Sequence, residues 1–353
     1  MTVPRLEINL SKIHSNAYEV VKSMGELGIS VTAITKVVLG VPEIVEVLLK
    51  AGVCGIGDSH IETVEAMRQR HNKESILMIR SPMISQADRI VASSSMSCNT
   101  ESEVIKSLSI AAKKLHLVHD ILLMVELGDL REGILPEDMD ESVQQVLDLP
   151  NLFLKGIGTN LACRNGVGPN TSNMATLSVL ASSIESNFGI NLEIVSGGNS
   201  ASIDWALSGS DLGRVNNLRL GEAIFLGREA LHQVPIRGMF VDAFQLVAEV
   251  IEIKYKPSGP DLIYFSSVPN SKVGKRHHRP SIRQSILGIG YQDIEPEGLT
   301  SELGLEITGS SSDHLIIHDK KNELSIGSEV TFQLNYDALL RAMTSPFVAK
   351  EFY

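Results

Sequence analysis

Cysteine is scarce in this chain. There are three in 353 residues, Cys54, Cys98 and Cys163, and no C-x-x-C pair. Such spacing excludes a disulfide framework or thiolate metal cluster and predicts buried, reduced thiols with no metal site. Aromatic residues make up only 5%. Positive charge is in deficit: the formal net charge is −11, which excludes a nucleic-acid surface and tolerates a cationic small substrate. No apolar run is long enough to span a bilayer, and the opening MTVPRLEINLSKI lacks the continuous apolar core of a signal peptide. The expectation is a soluble cytoplasmic protein with no membrane partner. A G-x-G-x-x-G fingerprint is also missing after the first strand, which weighs against an open dinucleotide-binding sheet.

What the chain does have is a rhythm. Ser30 to Gly40 sets it: a β-branched, small-apolar run ends in Thr35-Lys36, and Val41-Pro42 follows, with Pro42 suited to the first turn of a helix. Apolar runs then alternate with amphipathic segments through NLRLGEAIFLG, giving eight strands and intervening helices over about two hundred residues. That alternation predicts a parallel sheet closed as a (β/α)8 TIM barrel, with a doubly wound sheet as the runner-up. After Pro235 the period changes. FQLVAEVIEIKYK alternates like a long antiparallel strand, and short strands follow until NYDALLRAM. The expected organisation is an N-terminal strand (1–10) packing with the β domain, a barrel (11–235) and a smaller all-β domain (236–353). Ser11 reads as the cap of the first helix.

Polar residues fall where the strands end: Lys36, Asp58, Arg80, Asn99, Glu126 with Arg131 beyond it, Thr159-Asn160, Ser196 to Ser200, and Arg219 within the eighth strand. A barrel brings all these ends to one mouth, where barrel enzymes place their chemistry. Asp58 and Asn99 read as caps. Lys36 is either a lysine snorkelling from a strand end or a desolvated amine serving as nucleophile or base. Ser196-Gly197-Gly198-Asn199-Ser200 and the Gly221 of LRLGEA are either turn glycines or a phosphate cradle in the loops after strands seven and eight. A phosphate beside a strand-end lysine points to a phosphorylated aldehyde, and pyridoxal phosphate fits, with Lys36 as its attachment point. Arg219 then either meets the pyridine nitrogen, disfavouring its protonation, or pairs with Glu222 or Asp211.

PRLEINLSKI, the strand ending in TK, the GGNS turn and RLGEAIFLG resemble alanine racemase-type (fold-type III) pyridoxal-phosphate enzymes over nearly the whole chain. GIGTNLAC, VNNLRLGEAIFLG, SSDHLIIHD and NYDALLRAMTSPF are similar to the ornithine and lysine racemase branch. The resemblance implies racemisation of a free, basic amino acid by two-base proton transfer in a homodimer with composite active sites. It makes Lys36 the cofactor lysine and one catalytic base. Ser200 becomes the phosphate serine, helped by the amides of Gly221 and Glu222. Arg219 becomes the ring-nitrogen arginine and Arg131 the arginine near the substrate carboxylate, while Asn160 takes the place of a histidine beside the ring. Tyr291 lines the substrate entrance, and Ser312 and Asp313 close over the partner's substrate. Three features depart from the pattern. Leu39-Gly40 replaces a phosphate-binding tyrosine. Met124 replaces a carbamylated lysine, leaving Glu126 to orient Arg131. The partner-supplied catalytic tyrosine falls at or beside Arg276, so His277 or His278 is either the second base or part of a solvated basic loop. For a diamino substrate, Asp293, Glu295 and Asp313 are the acidic residues on offer. The alternatives are a D-amino-acid aldolase, dehydratase or decarboxylase on the same scaffold, and a non-catalytic pyridoxal-phosphate or amino-acid binder.

Overall fold

The computed structural model describes residues 3–164, 166–257, 281–301, 303–321 and 323–353. They fall into two compact units, Asn9–Ala243, and Phe244–Tyr353 together with the N-terminal residues through Ile8. In chain order the elements are β1 (Arg5–Ile8), α1 (Leu10–Gly25), β2 (Ser30–Ile34), α2 (Pro42–Lys50), β3 (Gly55–Asp58), α3 (Ile61–Arg70), β4 (Ile76–Met78), α4 (Ala87–Ser93), β5 (Met96–Asn99), α5 (Ser102–Leu115), β6 (His119–Val125), α6 (Met139–Asp148), β7 (Leu152–Thr159), α7 (Thr171–Phe188), β8 (Ile194–Ser196), α8 (Ile203–Leu207), β9 (Asn217–Leu220), α9 (Glu222–Leu226), β10 (Phe244–Pro257), β11 (Ser281–Leu287), β12 (Leu299–Ser301), β13 (Glu306–Ser310), β14 (Leu315–His318), β15 (Glu329–Leu334), α10 (Tyr336–Thr344) and β16 (Ala349–Phe352).

The larger unit is the expected TIM barrel. Strands β2 to β9 run parallel and close on themselves, with β9 beside β2 through Ser30↔Asn217 and Ala33↔Leu220. Its interior is apolar where staves face one another, as in the cluster Leu77, Met96, Cys98, Leu122 and Met124, and its helices bury one stripe each. In α1 that stripe is Ile13, Ala17, Val20 and Met24, a helical spacing. The cap of α1 is Asn9 rather than Ser11: the Asn9 side chain accepts from Lys12 N at 2.9 Å and the helix starts one residue earlier than Ser11. Pro42 does open α2. The last stave is shorter than the run NLRLGEAIFLG predicts. Gly221 (φ −131°, ψ −70°) breaks it, and Glu222–Leu226 turn into a helix that ends at Gly227 in the left-handed region (φ 63°). Residues beyond Pro235 stay with the barrel. Asn16 donates to Phe240 O at 2.8 Å and accepts from Phe240 N at 2.7 Å, and Lys12 Nζ meets Asp242 at 2.6 Å.

The smaller unit is an antiparallel sheet in the order β12-β15-β10-β11-β14-β13, with β1 pairing both β10 and β16. The 14-residue β10 is its spine. It pairs β15 over Gln245–Glu249 and β11 beyond a bulge between Val250 and Glu252. Leu246, Ala248 and Val250 turn inward at 0% exposure, which is why that segment alternates in sequence. No helix among the described residues is long and apolar enough to cross a membrane.

Candidate active site

Lys36 follows β2 after Thr35, in a single 3-10 turn whose other residues, Val37 and Val38, are buried anchors. The turn closes through Leu39 and Gly40, both left-handed (φ 54° and 61°). A Cβ at Gly40 would lie 2.4 Å from Thr63 Cγ2, so only glycine fits. Ahead of the lysine, Thr35 Oγ1 donates to Asp58 Oδ2 at 2.8 Å, and Asp58 Oδ1 accepts from Ser59 N and His60 N at 2.7 and 3.1 Å. Asp58 therefore braces the strand end. Burial pushes its carboxyl above the usual carboxylate range, with the Thr35, His60 and Ser59 hydrogen bonds pulling the other way.

Across the barrel seam lie β9 and then β8. Ser200, 4% exposed, accepts from Gly221 N at 3.3 Å and Ala223 N at 3.2 Å, and its own proton is left to donate. Gly221 packs so closely on β2 that a Cβ would sit 2.8 Å from Ile34 O. Asn199 stiffens the turn by accepting from Ala201 N at 2.9 Å and donating to Leu161 O at 2.8 Å. The Glu222 carboxylate takes Gln233 Nε2 at 2.7 Å.

Arg219 is buried within the barrel, and desolvation lowers its pKa from the ordinary arginine value. It pairs with neither Glu222 nor Asp211. Its Nη2 donates to Thr159 O at 2.6 Å and Asn160 Oδ1 at 2.7 Å, and Nη1 donates to Ser196 Oγ. Two of its five N–H groups, on Nε and Nη1, have no protein partner among the described residues.

Arg131 is held differently from the expectation. Glu126 does not reach it, because Glu126 Oε1 accepts from Gly128 N at 2.6 Å and Leu130 N at 3.1 Å inside its own loop. That loop doubles back so tightly that a Cβ at Gly133 would lie 2.6 Å from Glu126 N. The Arg131 guanidinium pairs instead with both oxygens of Glu132, which raises its pKa, and lies 3.8 Å from Asp129. Asn160 Nδ2 donates to the same Glu132 at 2.9 Å. Sequence reasoning passed over Glu132, whose one signal was an acid adjacent to Arg131 in a loop.

Asn99 is buried and donates to Ser97 O and Ser97 Oγ. Arg80 is exposed, with Nη2 3.4 Å from His60 Nε2. In the β unit, Tyr291, Ser312 and Asp313 sit together. Tyr291 N donates to Ser311 O and Gln292 N to Ser312 O, each at 2.9 Å, and Ser312 donates to the Asp313 carboxylate. Asp293 is buried and accepts from Ser345 Oγ at 2.6 Å, and Glu295 lies 3.5 Å from Arg341, so both are engaged within their own unit. His277 and His278 lie outside the described residues.

The model of the alanine racemase N-terminal domain matches residues 8–229, the barrel and its mouth. The chain belongs to the alanine racemase family. It is 35% identical to the ornithine racemase of Acetoanaerobium sticklandii over 99% of both chains. It is 34% identical to the lysine racemase of Thermotoga maritima over 99% of this chain and 98% of that one. Among solved structures, a Clostridium difficile alanine racemase superposes with a TM-score of 0.75 at 18% identity, covering 100% of this chain and 96% of the other.

Proposed function

We propose that this protein racemises a free amino acid, and specifically a basic one such as ornithine or lysine, with pyridoxal phosphate attached at Lys36. The observation that carries the reading is that Lys36, Arg219 and Ser200 belong to three consecutive staves, β2, β9 and β8 in that order, toward the carboxyl end of the barrel. The residues present fit the cofactor. Ser200 offers a hydroxyl proton beside the closely packed Gly221-Glu222 backbone, suited to a phosphate. The unspent N–H groups of Arg219 suit an unprotonated ring nitrogen, an acceptor. The names of the two relatives at about 35% identity favour a diamino substrate.

When bound, pyridoxal phosphate supplies an electron sink that acidifies the substrate α-carbon. Lys36 takes or returns the α-proton on one face. Arg131 binds the substrate carboxylate, and Asn160 would stand beside the cofactor when it is bound. His277 or His278 carries the proton on the opposite face. Tyr291, Ser312 and Asp313 complete the site of a second copy, so the active form is a homodimer.

The test uses L- and D-ornithine and L- and D-lysine in deuterium oxide. Loss of the α-proton NMR signal together with formation of the opposite enantiomer is expected for one or both amino acids. Borohydride reduction of the protein with pyridoxal phosphate should label Lys36, read by peptide mass. A label on another residue, or no exchange with any amino acid of a panel, overturns the reading.

A further inference from the structure

The mechanism above uses two arginines, and something must hold each at a fixed angle. We propose that one residue, Glu132, does so for both: it positions Arg131 directly and Arg219 through the Asn160 amide. This rests on the reading that Arg131 meets the substrate carboxylate and Arg219 the ring nitrogen.

The polarity of the groups fixes the arrangement. A guanidinium only donates and a carboxylate only accepts. Arg131 presents Nε and Nη2 to the two Glu132 oxygens, with Nη2 2.5 Å from Oε1. Oε1 also accepts from Asn160 Nδ2 at 2.9 Å. The Asn160 amide must then turn its oxygen the other way, and that oxygen accepts from Arg219 Nη2 at 2.7 Å. Asn160 thus has only one workable orientation, because reversing it would set an N–H₂ against Arg219 and an oxygen against Glu132. An ordinary exposed ion pair between sequence neighbours contributes little. Glu132 differs because its side chain is 26% exposed and it accepts from two elements, the loop after β6 and the end of β7. It also sets one negative charge between two cations in a site where Arg219 is buried.

Glu132→Gln is the informative change. Its single oxygen can serve Arg131 Nη2 and Asn160, but its new N–H₂ then opposes Arg131 Nε, donor against donor. The expected result is a KM for the amino acid raised ten-fold or more, kcat within about three-fold, and a several-fold change in pyridoxal-phosphate affinity measured by absorbance titration of the cofactor-free protein. Asn160→Ala cuts the Arg219 branch and removes one donor from Glu132, leaving the Arg131–Glu132 pair in place. It should change cofactor affinity and the absorbance band of the bound cofactor while leaving the amino-acid KM within about two-fold. Wild-type KM and cofactor affinity in Glu132→Gln would overturn the proposal. So would equal losses in kcat and kcat/KM accompanied by a melting temperature many degrees lower, the mark of a purely structural brace. A wild-type protein that takes up no pyridoxal phosphate in the same titration sinks the parent reading itself, a result visible before any variant is compared.

Discussion

Asp58 stands one stave from Lys36 with a carboxyl whose pKa is raised, and both features invite a catalytic role. Its bonding says otherwise, and the difference is measurable. Asp58→Asn should retain every hydrogen bond. The Asn oxygen would keep the Ser59 and His60 amides, now at 2.7 and 3.1 Å, and its N–H₂ would donate to Thr35 Oγ1, whose proton turns to Gly57 O, 3.2 Å away. Every donor now served by Asp58 keeps an acceptor, only the second N–H of the new amide gains none, and a carboxylate 1% exposed is replaced by a neutral group. Because burial outweighs the hydrogen bonds, the folded carboxyl binds its proton more tightly than the ordinary 3.8. The folded state then holds more protons than the unfolded one in the interval above that value. The contribution of Asp58 to stability is present below the unfolded pKa and is lost as pH rises through the folded one.

The substitution should therefore be neutral or stabilising at pH 7, with its advantage over the wild type growing as pH rises from about 4. Asp58→Ala is the contrast. It leaves two backbone N–H groups without acceptors, at about 1–3 kcal/mol each, for roughly 2–6 kcal/mol before the small cavity is counted. At about 2–4 °C per kcal/mol for a domain of this size, melting should fall by roughly 4–24 °C. Thermal melts from pH 4 to pH 8, paired with racemisation rates, read both quantities. The reasoning fails if Asp58→Asn melts far below wild type at pH 7. It also fails if that variant keeps its melting point but loses rate ten-fold, since Asp58 would then be exchanging protons in the reaction.

Ser200→Ala should weaken pyridoxal-phosphate binding about 10–100-fold, the loss of one hydrogen bond to a charged group at about 1.5–3 kcal/mol, measured by cofactor titration. His119 is buried, takes one hydrogen bond from or to Ser97 Oγ at 2.7 Å, and has its pKa pushed down to about 4 by burial. Its neutral form is the folded form, so its contribution is full above the unfolded value near 6.5 and disappears as pH falls toward 4, a loss on the order of 3 kcal/mol. His119→Gln should flatten that acid limb in melts recorded from pH 7 down to pH 4. Gly290→Ala would drive a Cβ to 2.4 Å from Ser311 O and 2.6 Å from Asp313 N and His314 N, backbone that has nowhere to move. It should lower the thermal stability of the β unit and raise the amino-acid KM, because Tyr291, Ser312 and Asp313 are displaced together.

The barrel was legible because each stave writes its own signature: an apolar run, a polar end, then a helical stripe. The same locality set the limits of the reading. Apolar residues recur on both sides of Gly221 in NLRLGEAIFLG, so their pattern does not mark where extended backbone gives way to the helix Glu222–Leu226; the change comes at Gly221, which lies against Ile34 O on the neighbouring stave. Asn9 and Ser11 both have capping side chains, and Asn9 is pinned in place by a long-range bond no local reading shows, its N–H donating to Ala243 O at 2.9 Å. The partner of Arg131 was missed for a related reason. Glu126, at the strand end, is the acid that a linear reading reaches first, but the fold of 126–133 turns its carboxylate inward onto Gly128 and Leu130. Glu132 is left to face both Arg131 and Asn160. Residues that act from the end of a stave can be found by counting along it. Residues that act because a loop has closed on itself carry no period. Here the closure depends on Gly133, where any side chain would collide with the backbone of Glu126.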